Sequence, residues 1–252
     1  MDASELYDPE FRELIKSKKP TIIIPVGSIE QHGAHLPITT DSDIVTEIAS
    51  RLAKKCGFIV LPTVSYGISV EHTPLFSINA FSLKKFLRDI TDSLLTDGIK
   101  SIIILNGHHG NIPYLERLDA EYSTIFTIQR RNARKNFRIA SYSYWHFMKH
   151  EFDHAGFVET SIMLAISDKV KMKKAKKGLI TKGMSEKEIR RINKLSTQPG
   201  GFPKVAKNGV WGDPTGATKK DGKKFLAEIV RNLAKECQSQ FCYNFKRSSW
   251  ES

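Results

Sequence analysis

Short apolar runs alternate with longer amphipathic segments along this chain. Residues 21–26 form a continuous apolar run, which is typical of a parallel β-strand buried on both faces. The same reasoning predicts four further strands, at residues 58–61, 101–105, 124–129 and 139–144. Strands that alternate with helices over this length predict a mostly parallel, doubly wound sheet with right-handed crossovers.

Helical periodicity fills most of the intervals between these strands. In the clearest case, apolar residues recur every four positions over residues 44–52, on one face of a helix that Ser42 or Asp43 would cap. The other predicted helices lie at residues 10–18, 82–95, 112–122, 158–167 and 218–237. The sequence contains no internal repeat and no interdomain linker. We therefore expect one α/β domain over residues 1–252, with a mainly parallel central sheet flanked by helices.

The composition is that of an ordinary globular enzyme, with 40% hydrophobic and 26% charged residues in a chain of 252. The N-terminus is acidic and lacks the apolar core of a secretory signal, and no apolar run approaches membrane-spanning length. The three cysteines, Cys56, Cys237 and Cys242, lack the spacing of a zinc site or a disulfide framework. These features predict a cytoplasmic protein with no membrane partner.

The formal net charge of +12 is concentrated in one segment. Residues 169–194 contain eleven Lys and Arg residues but two acidic ones, Glu186 and Glu188, whereas the rest of the chain is nearly balanced. Aromatic residues, which could stack on bases, are not interleaved with these lysines. The segment therefore indicates a helix-like solvated face or a subunit edge and no nucleic-acid partner, with an anionic, phosphate-bearing substrate as a milder alternative.

Three places at the ends of strands or helices carry side chains of the kind that bind metals. They are Glu30, His32 and Asp41 after the first strand, His108 and His109 after the third, and His154 with Glu159. Carboxylate and imidazole without thiolate suit zinc, manganese or iron(II). A carboxylate such as Asp41 can bridge two ions, and two ions about 3.5–4 Å apart can activate water and polarise a carbonyl. No GxSxG motif or reactive-cysteine context supplies a covalent nucleophile.

Several motifs together resemble the creatininase family, the creatinine amidohydrolase group. They are PVGSIEQHGAHLPITTD at residues 25–41, NGHHGN at 106–111 and HAGFVETS at 154–161, with a further likeness at 66–72 and in GVWGDPTGAT at 209–218. The resemblance implies a single α/β domain with a mainly parallel sheet. It also implies an enzyme that hydrolyses a non-peptide C–N bond with two divalent metal ions, and a chain that assembles into a closed homo-oligomer.

The resemblance also implies two sets of metal ligands. One ion would be held by Glu30, Asp41 and His108, and the second by His32, the bridging Asp41 and one more carboxylate. Creatininase takes that carboxylate from within its NGH motif, at the place where this chain has Gly110. Glu159 is the expected replacement.

Roles in the reaction follow from the same resemblance. His154 is similar to the family's catalytic histidine, placed to protonate the departing nitrogen, and Glu159 is the second residue expected in catalysis. His72, in the long irregular stretch 63–80, and Trp211 are expected to contact the substrate, although Trp211 could equally be a packing residue.

Other polar residues near the motifs are expected to have structural parts. His35 is expected to support the ligands rather than to bind a metal. His109 is expected to be a neighbour of the site and not part of it. Asn106 and Asn111 are expected to fix their loop by hydrogen bonds.

The substrate remains open among several reactions of the family. Creatininase opens a cyclic amide, and another branch trims a peptide during redox-cofactor maturation. An archaeal branch releases formate from 2-amino-5-formylamino-6-ribosylaminopyrimidin-4(3H)-one 5'-monophosphate in flavin and deazaflavin biosynthesis. The Lys-rich and Ile-rich composition and the NGHHGN motif favour this archaeal reaction. A nucleotide monophosphate would also match the basic surplus.

Overall fold

A sheet of four parallel strands, in the order β2–β1–β3–β4, forms the centre of the molecule. The computed structural model describes residues 1–72, 76–116, 118 and 137–241. Its strands are β1 (Thr21–Val26), β2 (Ile59–Val60), β3 (Ser101–Asn106) and β4 (Arg138–Ser143). This topology confirms the predicted α/β fold with a mainly parallel sheet. The strand predicted at residues 124–129 lies outside the described residues.

The described residues include eight α-helices, most of which pack on the two faces of the sheet. They are α1 (Asp8–Lys18), α2 (Thr40–Cys56), α3 (Ala80–Thr96), α4 (Ile112–Leu115), α5 (Phe157–Ile166), α6 (Glu186–Ser196), α7 (Phe202–Val205) and α8 (Lys219–Phe241). Helix α8 runs about one turn further than the prediction. Helix α4 is the first turn of the helix predicted at residues 112–122, most of whose later residues lie outside the described ranges.

Helix α2 begins earlier than the sequence suggested. Thr39 occupies the N-cap position, so Ser42 and Asp43, the predicted caps, both lie inside the first turn. The Thr39 hydroxyl donates to Asp43 Oδ2 at 3.0 Å, and the Ser42 hydroxyl donates to the carbonyl oxygen of Ser28 at 3.1 Å. The earlier start brings Asp41 into the helix, near the positive end of the helix dipole.

Side chains along the strands alternate between two apolar layers. In β1, Ile23 packs into the layer that contains α2, α5 and α8, whereas Ile22 and Ile24 face the layer that contains α1, α3 and α4. Because both faces are covered, the two central strands β1 and β3 are mainly apolar, and their polar site residues follow where the strands end. The carboxyl ends of β1 and β3 are neighbours in the sheet, so the residues that follow them meet.

Helices α5 and α8 approach each other closely at Gly222. A Cβ atom on Gly222 would overlap the carbonyl oxygen of Ser161 in α5. The backbone N–H of Thr218 also donates to the Ser161 hydroxyl at 3.2 Å. The position of α5, which carries Glu159, is therefore set by the C-terminal helix.

The basic segment at residues 169–194 is helical only in part. It contains a short 3₁₀ turn, Met172–Lys174, and the first part of α6, so the predicted helix-like face covers less of it than expected. Between them, Leu179 pairs with Trp211 through a β-bridge. None of the helices in the described ranges is long and apolar enough to cross a membrane.

Candidate metal centre

The predicted ligand residues converge at the carboxyl edge of the sheet. Glu30 and His32 lie in the loop after β1, and His108 follows β3. Asp41 and Glu159 come from the first turns of α2 and α5. All five residues are buried, with no more than 3% of their surface exposed.

Glu30, Asp41 and His108 form one compact group of ligand atoms. The Nδ1 atom of His108 lies 3.1 Å from Glu30 Oε2 and 3.1 Å from Asp41 Oδ2. On the other side of the ring, Nε2 donates a hydrogen bond to the carbonyl oxygen of Ile68 at 2.8 Å. In the neutral ring, that bond keeps the proton on Nε2 and leaves the Nδ1 lone pair directed at the two carboxylates.

His32 lies between the carboxylates of Asp41 and Glu159, and with Glu159 and His154 it forms a second group of ligand atoms. The Nε2 atom of His32 lies 3.2 Å from Asp41 Oδ1 and 3.5 Å from Glu159 Oε2. His32 Nδ1 donates to the carbonyl oxygen of Glu30 at 3.3 Å, which leaves the Nε2 lone pair for the carboxylates. Asp41 therefore offers one oxygen to each of two histidines.

The backbone before α5 fixes the carboxylate of Glu159. Its Oε2 accepts a hydrogen bond from the N–H of Ala155 at 2.6 Å. Ala155 has φ of 51°, in the left-handed region that residues with a side chain rarely adopt. Such backbone strain persists only where the surroundings hold it, and it clusters at functional sites.

Several buried atoms of these groups lack the hydrogen bonds that buried polar atoms normally make. Among the described residues, Glu30 Oε2, His32 Nε2, Asp41 Oδ2 and Glu159 Oε1 have no hydrogen-bond partner. Leaving one such atom unpaired costs about 1–3 kcal/mol. A cation would satisfy lone pairs that converge in this way, and a set of carboxylate and imidazole donors suits zinc, manganese or iron(II). The residues present therefore fit divalent metal ions.

The charges of the site point to the same conclusion. Burial raises the pKa of Glu30 and that of Glu159 to about 8. Burial alone would lower the pKa of His32 and of His108, but the nearby carboxylates raise both to about 10. Burial alone would raise the pKa of Asp41, yet the two imidazoles hold it far below its ordinary range. The buried carboxylates favour positive charge beside them. Protons on the imidazoles supply it in the metal-free site, and bound metal ions would replace those protons.

Two further histidines border Glu30. The Nε2 atom of His154 donates to the carbonyl oxygen of Gln31 at 3.0 Å, and its Nδ1 lies 3.6 Å from Glu30 Oε1. The Nε2 atom of His72 lies 3.2 Å from the same carboxylate oxygen. Burial lowers the pKa of His72 to about 3 and that of His154 well below its ordinary value. Both imidazoles are therefore neutral near pH 7.

A cavity of about 430 Å³ opens from this centre. His72, His154 and Trp211 line it, as does Phe202, which stacks on His72 with 4.4 Å between ring centroids. His154 and Trp211 exchange two backbone hydrogen bonds, of 3.0 and 2.8 Å, which hold Trp211 beside the site. The described residues of the cavity wall include carboxylates and aromatic rings but no Lys or Arg.

Glu71 is a wall residue to which the sequence analysis assigned no role. Its Oε1 lies 3.8 Å from His108 Nε2. A Cβ atom on Gly110 would overlap this carboxylate, so the absence of a side chain at position 110 gives Glu71 its place. The adjacent pair Glu71–His72 in the motif was the available signal for it. Phe202 and the end of α6, which also line the cavity, carry no such signal.

The residues expected to be structural lie around the ligands. Asn106 Oδ1 accepts from the backbone N–H of His108 at 3.0 Å, and the Asn111 side chain bonds to the backbone of two neighbouring loops. His35 Nε2 lies 2.9 Å from a threonine hydroxyl of α5. His109 lines the cavity, stacked on an aromatic ring, and it belongs to none of the ligand groups found in the described residues.

Comparison with known proteins agrees with this geometry. The family described as creatininase, creatinine amidohydrolase, matches residues 4–237. The mycofactocin precursor peptide peptidase of Mycobacterium ulcerans (strain Agy99) is 31% identical over 230 residues, which cover 86% of this chain and 84% of that protein. The 2-amino-5-formylamino-6-ribosylaminopyrimidin-4(3H)-one 5'-monophosphate deformylase of Methanosphaera stadtmanae is 35% identical over 102 residues, 38% of this chain and 43% of that protein. A crystal structure of creatinine amidohydrolase superposes with a TM-score of 0.80 at 23% identity, over 95% of this chain and 97% of that one.

The fold and the buried ligand groups define a metal-dependent amidohydrolase. Solved creatininase structures that share the fold include a mutant of Zn-Zn type and an Mn form. The chain belongs to the creatininase family, as its motifs predicted.

Proposed function

We propose that this protein hydrolyses an amide C–N bond with two divalent ions, zinc, manganese or iron(II). The observation that carries the proposal is Asp41, whose two oxygens face different histidines 3.1 and 3.2 Å away. One ion would be held by Glu30, Asp41 and His108, and the other by His32, Asp41 and Glu159. When bound, such ions polarise the amide carbonyl and lower the pKa of water.

His154 is proposed to move the proton. Its Nε2–H donates a hydrogen bond to the carbonyl oxygen of Gln31, so Nδ1 carries the lone pair, and Nδ1 lies on the side of the ring that faces Glu30. Nδ1 can take a proton from water as the new C–O bond forms, and it can give that proton to the nitrogen as the C–N bond breaks. The donation inferred from the family resemblance is the second half of this transfer. Glu159, also predicted to be catalytic, is proposed to act as a ligand.

A peptide is the substrate class that we favour, in place of the nucleotide favoured by the sequence. The peptidase relatives match most of this chain, whereas the deformylase relatives match less than half of it. The described cavity wall has no Lys or Arg to pair with a phosphate. Its aromatic rings, Phe152, Phe202 and Trp211, suit an apolar or aromatic side chain next to the scissile bond.

Release of formate from the formylamino-pyrimidine nucleotide is the second candidate. The lysines at residues 169–177 are largely exposed, and they could attract a phosphate from outside the cavity. The deformylase relatives, although partial matches, support this alternative.

One experiment separates these reactions. Protein stripped of metal and reloaded with Mn(II), Zn(II) or Fe(II) is given a library of short peptides, the formylamino-pyrimidine nucleotide or creatinine. New amino groups, formate and creatine are then measured. We expect metal-dependent peptide cleavage that is lost in Glu30→Ala and His108→Ala. Formate release without peptide cleavage would reject the peptide assignment, and an undiminished rate in both variants would reject the metal centre.

Two expectations about the whole protein stay predictions. A homo-oligomer is proposed from the family resemblance, and light scattering would report a mass above that of a single chain. A single-chain mass would contradict it. The cytoplasmic location, like the lack of a nucleic-acid partner, rests on the sequence alone.

A further inference from the structure

Gln31 contacts both of the histidines that border Glu30. Its backbone carbonyl oxygen accepts a hydrogen bond from His154 Nε2 at 3.0 Å, and its side-chain nitrogen Nε2 lies 3.3 Å from His72 Nδ1. The two imidazole rings are 5.0 Å apart between centroids. One residue, placed between two of the proposed ligands, therefore holds both rings.

The side-chain contact of Gln31 decides which nitrogen of His72 carries the proton. An amide NH₂ group can only donate, so His72 Nδ1 must accept. The proton of the neutral ring is then on Nε2, which lies 3.2 Å from Glu30 Oε1. His72 is therefore a hydrogen-bond donor to Glu30, and its Nε2 has no lone pair to offer a metal.

Glu30 carries the effect of this contact to the ligand group. Its Oε1 faces His72, whereas its Oε2 lies 3.1 Å from His108 Nδ1. A donor fixed on Oε1 holds the carboxylate so that Oε2 stays with Asp41 and His108. Glu30, His72 and His154 also bring ligand atoms within 4.8 Å of one another and could form a competing metal site. A proton on His72 Nε2 prevents this, because that nitrogen then has no lone pair for a metal ion.

The other end of the Gln31 amide is held by close packing. A Cβ atom on Gly209 would overlap Gln31 Oε1, and Gly209 has φ of 73°, which favours glycine. The amide oxygen occupies the space that this glycine leaves. This packing limits the movement of the amide, whose NH₂ group faces His72.

We propose that Gln31 is a positioning residue of the metal centre. It sets the tautomer of His72, and His72 in turn orients Glu30 as a ligand. This role goes beyond the proposed function and rests on its metal centre, but it does not depend on which amide is the substrate. Outer residues that orient ligands in this way typically change metal affinity by about 10–100-fold when they are removed.

The tautomer can be measured in the unaltered protein. Long-range ¹H–¹⁵N spectra of the zinc-loaded chain report which imidazole nitrogens carry hydrogen, and the His72→Phe spectrum assigns the signals. We expect His72 to be protonated on Nε2. Protonation on Nδ1 would overturn the proposal, whatever the variants do.

Metal titration tests the consequence. Gln31→Met keeps the length of the side chain and removes the donor, and we expect it to weaken Mn²⁺ binding by about 10–100-fold. In a His72→Phe background, Gln31→Met should not weaken Mn²⁺ binding further, because the contact between Gln31 and His72 is already lost. Gln240→Met is the matched control, since that side chain bonds to Tyr142 and Glu236 in and beside α8, outside the ligand groups.

The outcomes distinguish two failures. The role of Gln31 would be overturned if Gln31→Met bound Mn²⁺ as tightly as the unaltered protein does. It would also be overturned if Gln31→Met lowered the Mn²⁺ affinity as much in the His72→Phe variant as in the unaltered protein. An unaltered protein that binds no divalent ion would overturn the metal centre itself. If Gln31→Met does not fold, the tautomer measurement decides.

Discussion

Replacing Asp41 by Asn changes both proposed metal sites at once. The substitution keeps the size of the side chain and removes its charge, in a residue that is 2% exposed. Asp41 Oδ1 lies 3.2 Å from His32 Nε2, and Oδ2 lies 3.1 Å from His108 Nδ1. Asn can present one acceptor oxygen to these two groups, so one of the two faces an NH₂ group instead.

The size of the effect follows from these distances. At an effective dielectric constant of about 20, two unit charges about 3.1 Å apart interact by about 5 kcal/mol. Burial lowers the pKa of His32 and of His108, and the Asp41 carboxylate counteracts this. Without the carboxylate we expect the pKa of each imidazole to fall from about 10. Metal ions lose a shared charged ligand. The loss of affinity should exceed the roughly 100-fold that removal of an outer residue can cause.

Thermal unfolding with and without Mn²⁺ measures this loss. At a concentration 100 times Kd, a ligand stabilises the native state by about 2.7 kcal/mol. For a chain of this size that is a rise in Tm of about 5–11 °C. We expect this rise in the unaltered protein and little or none in Asp41→Asn at the same Mn²⁺ concentration.

Asp43→Asn is the matched control for this measurement. Asp43 lies in the same turn of α2, accepts a hydrogen bond from the Thr39 hydroxyl and belongs to neither ligand group. It should keep the Mn²⁺-dependent rise in Tm. The reasoning fails if Asp41→Asn keeps the full rise, or if both variants lose it equally.

Gly110→Ala should weaken Mn²⁺ binding, because its Cβ would overlap Glu71 Oε1 and crowd His108; an unchanged Kd in a titration would contradict this. His154→Gln should slow amide hydrolysis by about 10²–10⁴-fold, with metal content unchanged by elemental analysis; a normal rate would exclude its proton transfer. The metal-free protein should lose stability between about pH 6.5 and pH 10, because the pKa of His32 and His108 rises from 6.5 to about 10 on folding. Their contribution is complete below pH 6.5 and lost above pH 10, so urea unfolding that shows rising stability over this range would refute it.

The sheet was predictable because its signal is local. In a chain where short apolar runs alternate with amphipathic helices, the apolar run Thr21–Val26 is most simply a buried strand. Its bounds were predicted to the residue. The start of α2 was not predictable in the same way. Thr39, Ser42 and Asp43 are all good capping residues, and the choice between them depends on the path of the chain after β1.

The residues of the cavity wall could be predicted only in part. The ligand residues lie in motifs of recognisable spacing, whereas Phe202 reaches the cavity because its backbone N–H bonds to the carbonyl oxygen of Glu71 at 2.9 Å. That contact joins the start of α7 to a loop that is distant in the sequence, and no periodicity encodes it. The chemical character of the cavity wall was similarly hidden from the sequence. The count of lysines does not reveal that the described cavity wall has none.

The tight contact at Gly222 makes the two proposed ions separately adjustable. A larger residue at that position would push α5 and move Glu159, while Glu30 and His108, which leave the sheet itself, would stay where they are. A change on α8 could thus displace a proposed ligand of one ion and leave the proposed ligands of the other in place. The number of ions that the proposed centre can hold would then depend on how closely α8 packs against α5.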